Sequence, residues 1–145
     1  MAVKEPNFFG KLSEEELHDF ELINQFNLPD DYRNFLLANN GGIPLHQTNK
    51  APQTIVEYLF GMHNGDLFAS LYKHIDVFKN RLPFGTFPIA SDPFGNLFIM
   101  SLHKESYGHI YFWDHESEPK EQDGHNIENV SFVAYSFGLF LSALK

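Results

Sequence analysis

The sequence predicts a single α+β domain in which a mainly antiparallel sheet packs against helices near the two ends of the chain. Apolar residues recur at helical spacing over 14–39 and 137–144, whereas short β-type runs separated by tight turns crowd the middle. Consecutive strands with short connections pair as antiparallel hairpins. The 145 residues, 43% of them hydrophobic, suit one core, so we predict one domain over 1–145 with its core at about 13–144.

The first helix is predicted from its capping box. The Ser13 hydroxyl can accept the backbone amide of Glu16, and the Glu16 carboxylate can reach back to Ser13. The helix should end near Phe26. Its buried face should contain Leu17, Phe20 and Ile23.

The second helix lies in the stretch LPDDYRNFLLANNGG, 28–42. Pro29 suits the first helical position, and the two acids that follow suit the first turn. Gly41 or Gly42 should cap the end of the helix in a left-handed conformation. The buried residues should be Tyr32, Phe35 and Leu36.

A connection, a strand and a third helix should follow. Residues 43–53 contain two prolines and no periodicity, so they are predicted as a connection, and 54–60 (TIVEYLF) as a strand. Asp66 can cap a third helix that ends by Asn80, because Pro83 follows closely. The apolar face of this helix should hold Leu67, Leu71, Ile75 and Phe78.

Three further strands are predicted at 87–90, 96–102 and 109–114. A type I turn from Asp92 joins the first two, with Pro93 and Gly95 at its second and fourth positions. In the third strand both faces carry apolar bulk, which indicates a sheet that is covered on both sides or exposes an aromatic face. A last helix should follow the loop after this strand, with Ser136 as its cap and Phe137, Phe140, Leu141 and Leu144 as its stripe.

Composition excludes several kinds of function. The chain has no cysteine and therefore no disulfide or thiolate site, and it shows neither a signal-peptide pattern nor about 18 consecutive apolar residues, so we expect a cytoplasmic protein. A formal charge of −9 disfavours direct binding to nucleic acid. We also expect no membrane contact.

The negative charge is concentrated in two segments. Seven acids lie between Glu14 and Asp31 with no Lys or Arg among them, and six lie between Asp114 and Glu128 against Lys120 alone. Such runs are usually solvated faces. The alternative is an acidic surface that steers a basic protein partner into contact.

No catalytic or metal constellation emerges. His103, His109 and His115 recur every six residues and do not form the i, i+4 pair of helical zinc sites. The sequence lacks a G-x-S-x-G elbow and a phosphate-binding loop. We therefore predict no enzyme activity, no cofactor and no metal site.

Four blocks, in order, resemble the SUKH superfamily, which is named partly after yeast cell-wall assembly regulators. The first is Leu-Pro-x-x-Tyr-x-x-Phe-Leu ending in Asn-Gly-Gly, and the second is Pro-Ile-Ala-x-Asp followed by Gly-Asn. The third is Gly-x-Ile-Tyr-x-x-Asp-His-Glu, and the fourth is Ala-x-Ser-Phe-x-x-Phe-Leu. The residues that match are Leu28, Pro29, Tyr32, Phe35, Leu36, Asn40, Gly41 and Gly42; Pro88, Ile89, Ala90, Asp92, Gly95, Asn96 and Leu97, which begins an apolar strand; Gly108, Ile110, Tyr111, Asp114, His115 and Glu116; and Ala134, Ser136, Phe137, Phe140 and Leu141.

The resemblance implies a non-enzymatic binding protein. Many bacterial members look like immunity proteins that neutralise a cognate toxin, often a nuclease, and the alternative is a regulatory or scaffolding module of the same fold with no toxin partner. An aromatic residue rimmed by charge is typical of binding hot spots. We therefore place the partner surface, as a hypothesis, at Asp92, Trp113, Asp114 and Glu116. The partner would be a basic toxin domain, and the chain a monomer or homodimer.

Overall fold

The computed structural model describes residues 3–63, 69–119 and 127–145. A five-stranded antiparallel sheet in the order β3-β4-β5-β6-β7 forms the centre, and β1 and β2 form a separate small hairpin. The predicted α+β class is confirmed. The elements are α1 (Glu14–Asn24), α2 (Asp30–Asn39), β1 (Thr48–Asn49), β2 (Thr54–Ile55), β3 (Tyr58–Leu59), α3 (Leu71–Phe78), β4 (Thr86–Ser91), β5 (Leu97–Ser101), β6 (Ile110–Trp113), β7 (Val130–Ala134) and α4 (Phe137–Ala143).

Helices cover the sheet on both faces. On the first face, Tyr32 of α2 packs against Phe87, and Phe140 of α4 packs against Phe98. On the opposite face, Phe78 of α3 meets Trp113 edge to face, at 5.7 Å between ring centroids. Since α3 has only eight residues, it covers part of that face.

The first helix has the predicted capping box. The Ser13 hydroxyl accepts the Glu16 amide at 3.1 Å, and the Glu16 carboxylate accepts the Ser13 amide at 3.3 Å. Leu17 and Phe20 are buried as predicted, but Ile23 is 81% exposed, so its assignment to the core is wrong. Ile23 lies six residues after Leu17 in α1, which puts its side chain about 120° around the helix from that of Leu17 and at the edge of the buried face.

The second helix buries Tyr32, Phe35 and Leu36 as predicted. Pro29 precedes the first helical residue, and Asn40 rather than a glycine takes the left-handed cap position, with φ 45°. Asn40 is held there by its amide, which accepts the Met62 amide at 2.8 Å and donates to the carbonyls of Gly10 and Met62. A Cβ on Gly61 would lie 2.2 Å from the Asn40 carbonyl oxygen. The Asn-Gly-Gly block is therefore a structural junction.

The middle of the chain differs from the prediction. The expected strand 54–60 is split into β2 and β3, because Val56 and Glu57 turn the chain from the small hairpin into the main sheet. The expected connection 43–53 contains β1. The described part of the third helix begins at Leu71 with Ser70 as its cap, while the predicted cap Asp66 and Leu67 lie outside the described residues.

The edge strand β7 was missed by the sequence analysis. Its five residues, VSFVA, are half-buried or exposed and do not alternate cleanly between apolar and polar, so the sequence carries no strand signal there. The β4–β5 hairpin, β6 and the Ser136-capped α4 are confirmed. Among the described residues, no helix is both long and apolar enough to cross a membrane.

Candidate functional site

Two of the four residues proposed to contact a partner are buried. Trp113 is 1% exposed, because Phe78 covers its ring and the Arg81 guanidinium lies 5.5 Å from the ring centroid. Asp92 is 5% exposed. Neither side chain has surface to offer a partner, which corrects their placement as contact residues.

Asp92 instead holds the β4–β5 turn together. One carboxylate oxygen accepts the backbone amides of Phe94 and Asn96, each at 2.9 Å. The other accepts the Asn96 side chain and the Thr54 hydroxyl, also at 2.9 Å. The Asn96 side-chain oxygen then accepts the amide of His115, at 3.0 Å. The second and third sequence blocks thus meet in one hydrogen-bond network.

The other two predicted residues, Asp114 and Glu116, lie at the start of the acidic segment 114–128. Asp114 is half-buried and accepts the amide of Glu116 at 3.0 Å, which caps a short 3-10 turn, and Glu116 is exposed. Arg81 fixes the end of this turn through two bonds to Glu118, at 2.8 and 3.0 Å. Contact of Asp114 and Glu116 with a partner stays a prediction.

A second charged surface lies on α1. We call the exposed side chains Glu14, Glu15, Glu16, Asp19, Leu22 and Ile23 the acidic helix surface. Within the described part of the chain, no Lys or Arg pairs with its carboxylates, whereas Glu21 on the other side of α1 is neutralised by Arg33 at 2.9 Å. The four carboxylates of this surface therefore have no basic partner among the described residues.

Two tyrosines lie in the negative field around α1 and α2. Burial and then Glu16 raise the pKa of Tyr72, which packs against Phe20. Burial and then Asp30, Glu21 and Asp31 raise the pKa of Tyr107, whose hydroxyl donates to the Asn27 carbonyl. In both cases nearby carboxylates disfavour a further negative charge.

Apolar side chains stand within the acidic helix surface. Leu22 is 63% and Ile23 81% exposed. Ile23 lines a shallow groove of ≈ 390 Å³ together with Glu16, Asp19, Phe20, Asn24 and Tyr72. The sequence could have shown that an apolar side chain is exposed on α1. Leu22 and Ile23 are adjacent, and one helix face cannot bury both of them together with Leu17 and Phe20.

The three histidines of the predicted hairpin region do not converge. The His115 ring bonds the Phe94 carbonyl at 2.7 Å, and the His103 ring bonds the Phe84 carbonyl. No three metal-ligating side chains gather anywhere in 3–63, 69–119 or 127–145.

Comparison with known proteins gives a family match and a relative. The profile of the SMI1 / KNR4 family (SUKH-1) matches residues 11–143. The SPbeta prophage-derived uncharacterized protein YokK of Bacillus subtilis (strain 168) is 31% identical over 146 residues, which cover 86% of this chain and 73% of that protein.

Proposed function

Because the chain belongs to the SMI1 / KNR4 family (SUKH-1), which includes immunity proteins, we propose that it is an immunity protein. It binds a cognate bacterial toxin domain, often a nuclease, in the cytoplasm and neutralises it. Members of the family are generally non-enzymatic, so the protein acts by occupying the toxin surface rather than by chemistry.

The acidic helix surface carries this proposal. A nuclease that binds a phosphate backbone presents clustered Lys and Arg side chains. Four carboxylates without a basic partner in the described chain complement such a surface and accelerate encounter. Leu22 and Ile23 supply apolar area that is removed from water on contact and slows dissociation.

The test begins with a toxin domain encoded beside the gene. Co-expression should restore growth to cells that make the toxin, and the purified proteins should bind in a calorimetric titration. Failure of both growth rescue and binding would overturn the proposal. Binding without rescue would favour a regulatory module of the same fold.

Matched charge reversals test the surface itself. Glu15→Lys with Asp19→Lys, and the control Glu5→Lys with Glu105→Lys, each change the formal charge from −9 to −5, since every reversal adds two. We expect the α1 pair to lower the association rate by about 10- to 100-fold and the control pair to lower it only slightly. Equal effects of the two pairs would show that net charge, not α1, steers the toxin.

Ile23→Ser tests the apolar contact separately. Because the side chain is 81% exposed, its loss should leave the thermal midpoint unchanged. Dissociation from the toxin should accelerate by about 10-fold, the effect of losing roughly 1.4 kcal/mol of contact. Unchanged dissociation would remove Ile23 from the interface.

A further inference from the structure

The sheet face opposite α2 and α4 carries an exposed aromatic surface beyond the end of α3. We call Phe84, His109, Tyr111, Ile127, Phe132 and Tyr135 the aromatic face. Phe132 is central, because its ring centroid lies 4.7 Å from that of Tyr135, 5.9 Å from that of Tyr111 and 6.0 Å from that of His109. Phe84 and Ile127 line a groove of ≈ 480 Å³ with Phe132 and Tyr111.

The aromatic face is large enough to take part in an interface. Phe84, Ile127, Phe132 and Tyr135 are 57%, 63%, 45% and 67% exposed. If a large side chain has about 200 Å² of surface, these four expose on the order of 450 Å². A standard interface uses about 800 Å² per partner, so the four supply roughly half, and the polar rim of the groove supplies more.

The charge of the face selects its occupant. Among the described residues that line the groove there is no Asp, Glu, Lys or Arg, although the chain as a whole carries −9. A basic partner gains nothing electrostatically from this face. Two copies of an acidic chain, in contrast, repel each other least where neither presents carboxylates to the other.

The position of β7 permits a twofold contact. It is the last strand of the sheet, and no strand pairs with its outer side within the described ranges. The strand has neither a charged residue nor a proline, which are common protections of an exposed edge. A patch at such an edge is self-complementary in a C2 dimer, since residues around Phe132 of one copy meet the same residues of the other.

We propose that the aromatic face is a homodimer interface and that a second copy of this chain covers it. The dissociation constant should be on the order of 10 µM, at the weak end for an interface of this area. The acidic helix surface is not part of this contact.

Sedimentation equilibrium of the full chain tests the proposal. Between about 1 and 200 µM, the mass should rise from 16.7 kDa towards twice that value. Phe132→Ser and Tyr135→Ser should each weaken association at least 10-fold. Phe94→Ser is the matched control, because Phe94 is 68% exposed in the β4–β5 turn, at the opposite end of these strands from Thr86 and Ser101, and it should associate like the wild type.

Three results would overturn the proposal: a wild-type chain that stays monomeric up to 200 µM, Ser variants that associate as tightly as the wild type, or a Phe94→Ser variant that is equally impaired. Tyr135→Ser keeps the test valid if Phe132→Ser fails to fold, since Tyr135 is the more exposed of the two. Circular dichroism checks the fold of each variant. The outcome is independent of any toxin, so it leaves the proposed immunity function untouched.

Discussion

Replacement of Asp92 by alanine should destabilise the protein strongly. The side chain is 5% exposed and accepts four hydrogen bonds, each at 2.9 Å. Its loss leaves four donors without an acceptor, and each orphaned, partly buried donor costs about 1 kcal/mol. The free energy of unfolding should therefore fall by ~4 kcal/mol. In a domain of this size, a loss of that magnitude lowers the thermal unfolding midpoint by on the order of 12 °C.

Two matched Asp→Ala variants calibrate this effect. Asp114 accepts bonds at 3.0 and 3.4 Å in a half-exposed cap, so its loss should cost about 1 kcal/mol. Asp19 is exposed on α1, and its loss should change stability by less than about 0.5 kcal/mol.

Urea unfolding followed by fluorescence measures all three, because Trp113 is the single tryptophan and lies in the core. If Asp92→Ala loses less than about 1 kcal/mol, the hydrogen-bond network does not stabilise the turn as argued. If it unfolds as expected but its folded fraction binds a toxin with wild-type affinity, Asp92 acts through the fold alone.

Three further changes test the core and the helix ends. The buried hydroxyl of Tyr32 has no hydrogen-bond partner in the described structure, so Tyr32→Phe should leave the urea midpoint unchanged or raise stability by up to ~1 kcal/mol; a clear loss would reveal a hidden partner. Burial lowers the pKa of His74 below its ordinary 6.5, so the unfolded state binds its proton more tightly, and stability is complete above pH 6.5 and falls below it. Thermal melts from pH 8 to 5 should show a smaller loss for His74→Phe than for the wild type, and parallel curves would contradict this. Gly138→Ala should stabilise α4 by up to ~1 kcal/mol, because the nearest neighbour of the new Cβ, an Asp31 carboxylate oxygen, lies at an ordinary 3.6 Å; a lowered midpoint would show that the first turn needs glycine.

Sequence signals predicted those helix caps and turns whose hydrogen bonds form between residues close together in the chain. The Ser13 box, the Ser136 cap and the Asp92–Gly95 turn satisfy their hydrogen bonds within a few residues, and the structure contains all three. The edge strand β7 gains its register from β6 far earlier in the chain, so its own five residues did not reveal it. Ile23 was misplaced because its spacing of three from Phe20 suits a shared face, whereas six residues from Leu17 amount to about 120° around the helix and leave Ile23 at the edge of the buried face.

The candidate site shows a similar limit. The types of residue expected at an interface, an aromatic side chain beside acids, are present at Trp113, but α3 packs on the same face of the sheet and covers that ring. Burial of one particular tryptophan depends on a helix about 40 residues earlier, which composition and spacing cannot reveal. Because Leu22 and Ile23 are exposed, we expect the contact with a partner at these two residues instead. They lie on α1, whose negative charge the sequence analysis did identify.

Ionic strength separates the two proposed contacts. Screening weakens attraction between the acidic helix surface and a basic partner, so toxin association should slow as salt rises from about 50 to 500 mM. The same screening reduces repulsion between two copies that each carry −9, so contact through the uncharged aromatic face should tighten. Opposite responses are expected only if charge and exposed apolar area serve different partners. If added salt weakened both contacts, the dimer would depend on charged groups, and its assignment to the aromatic face would be wrong.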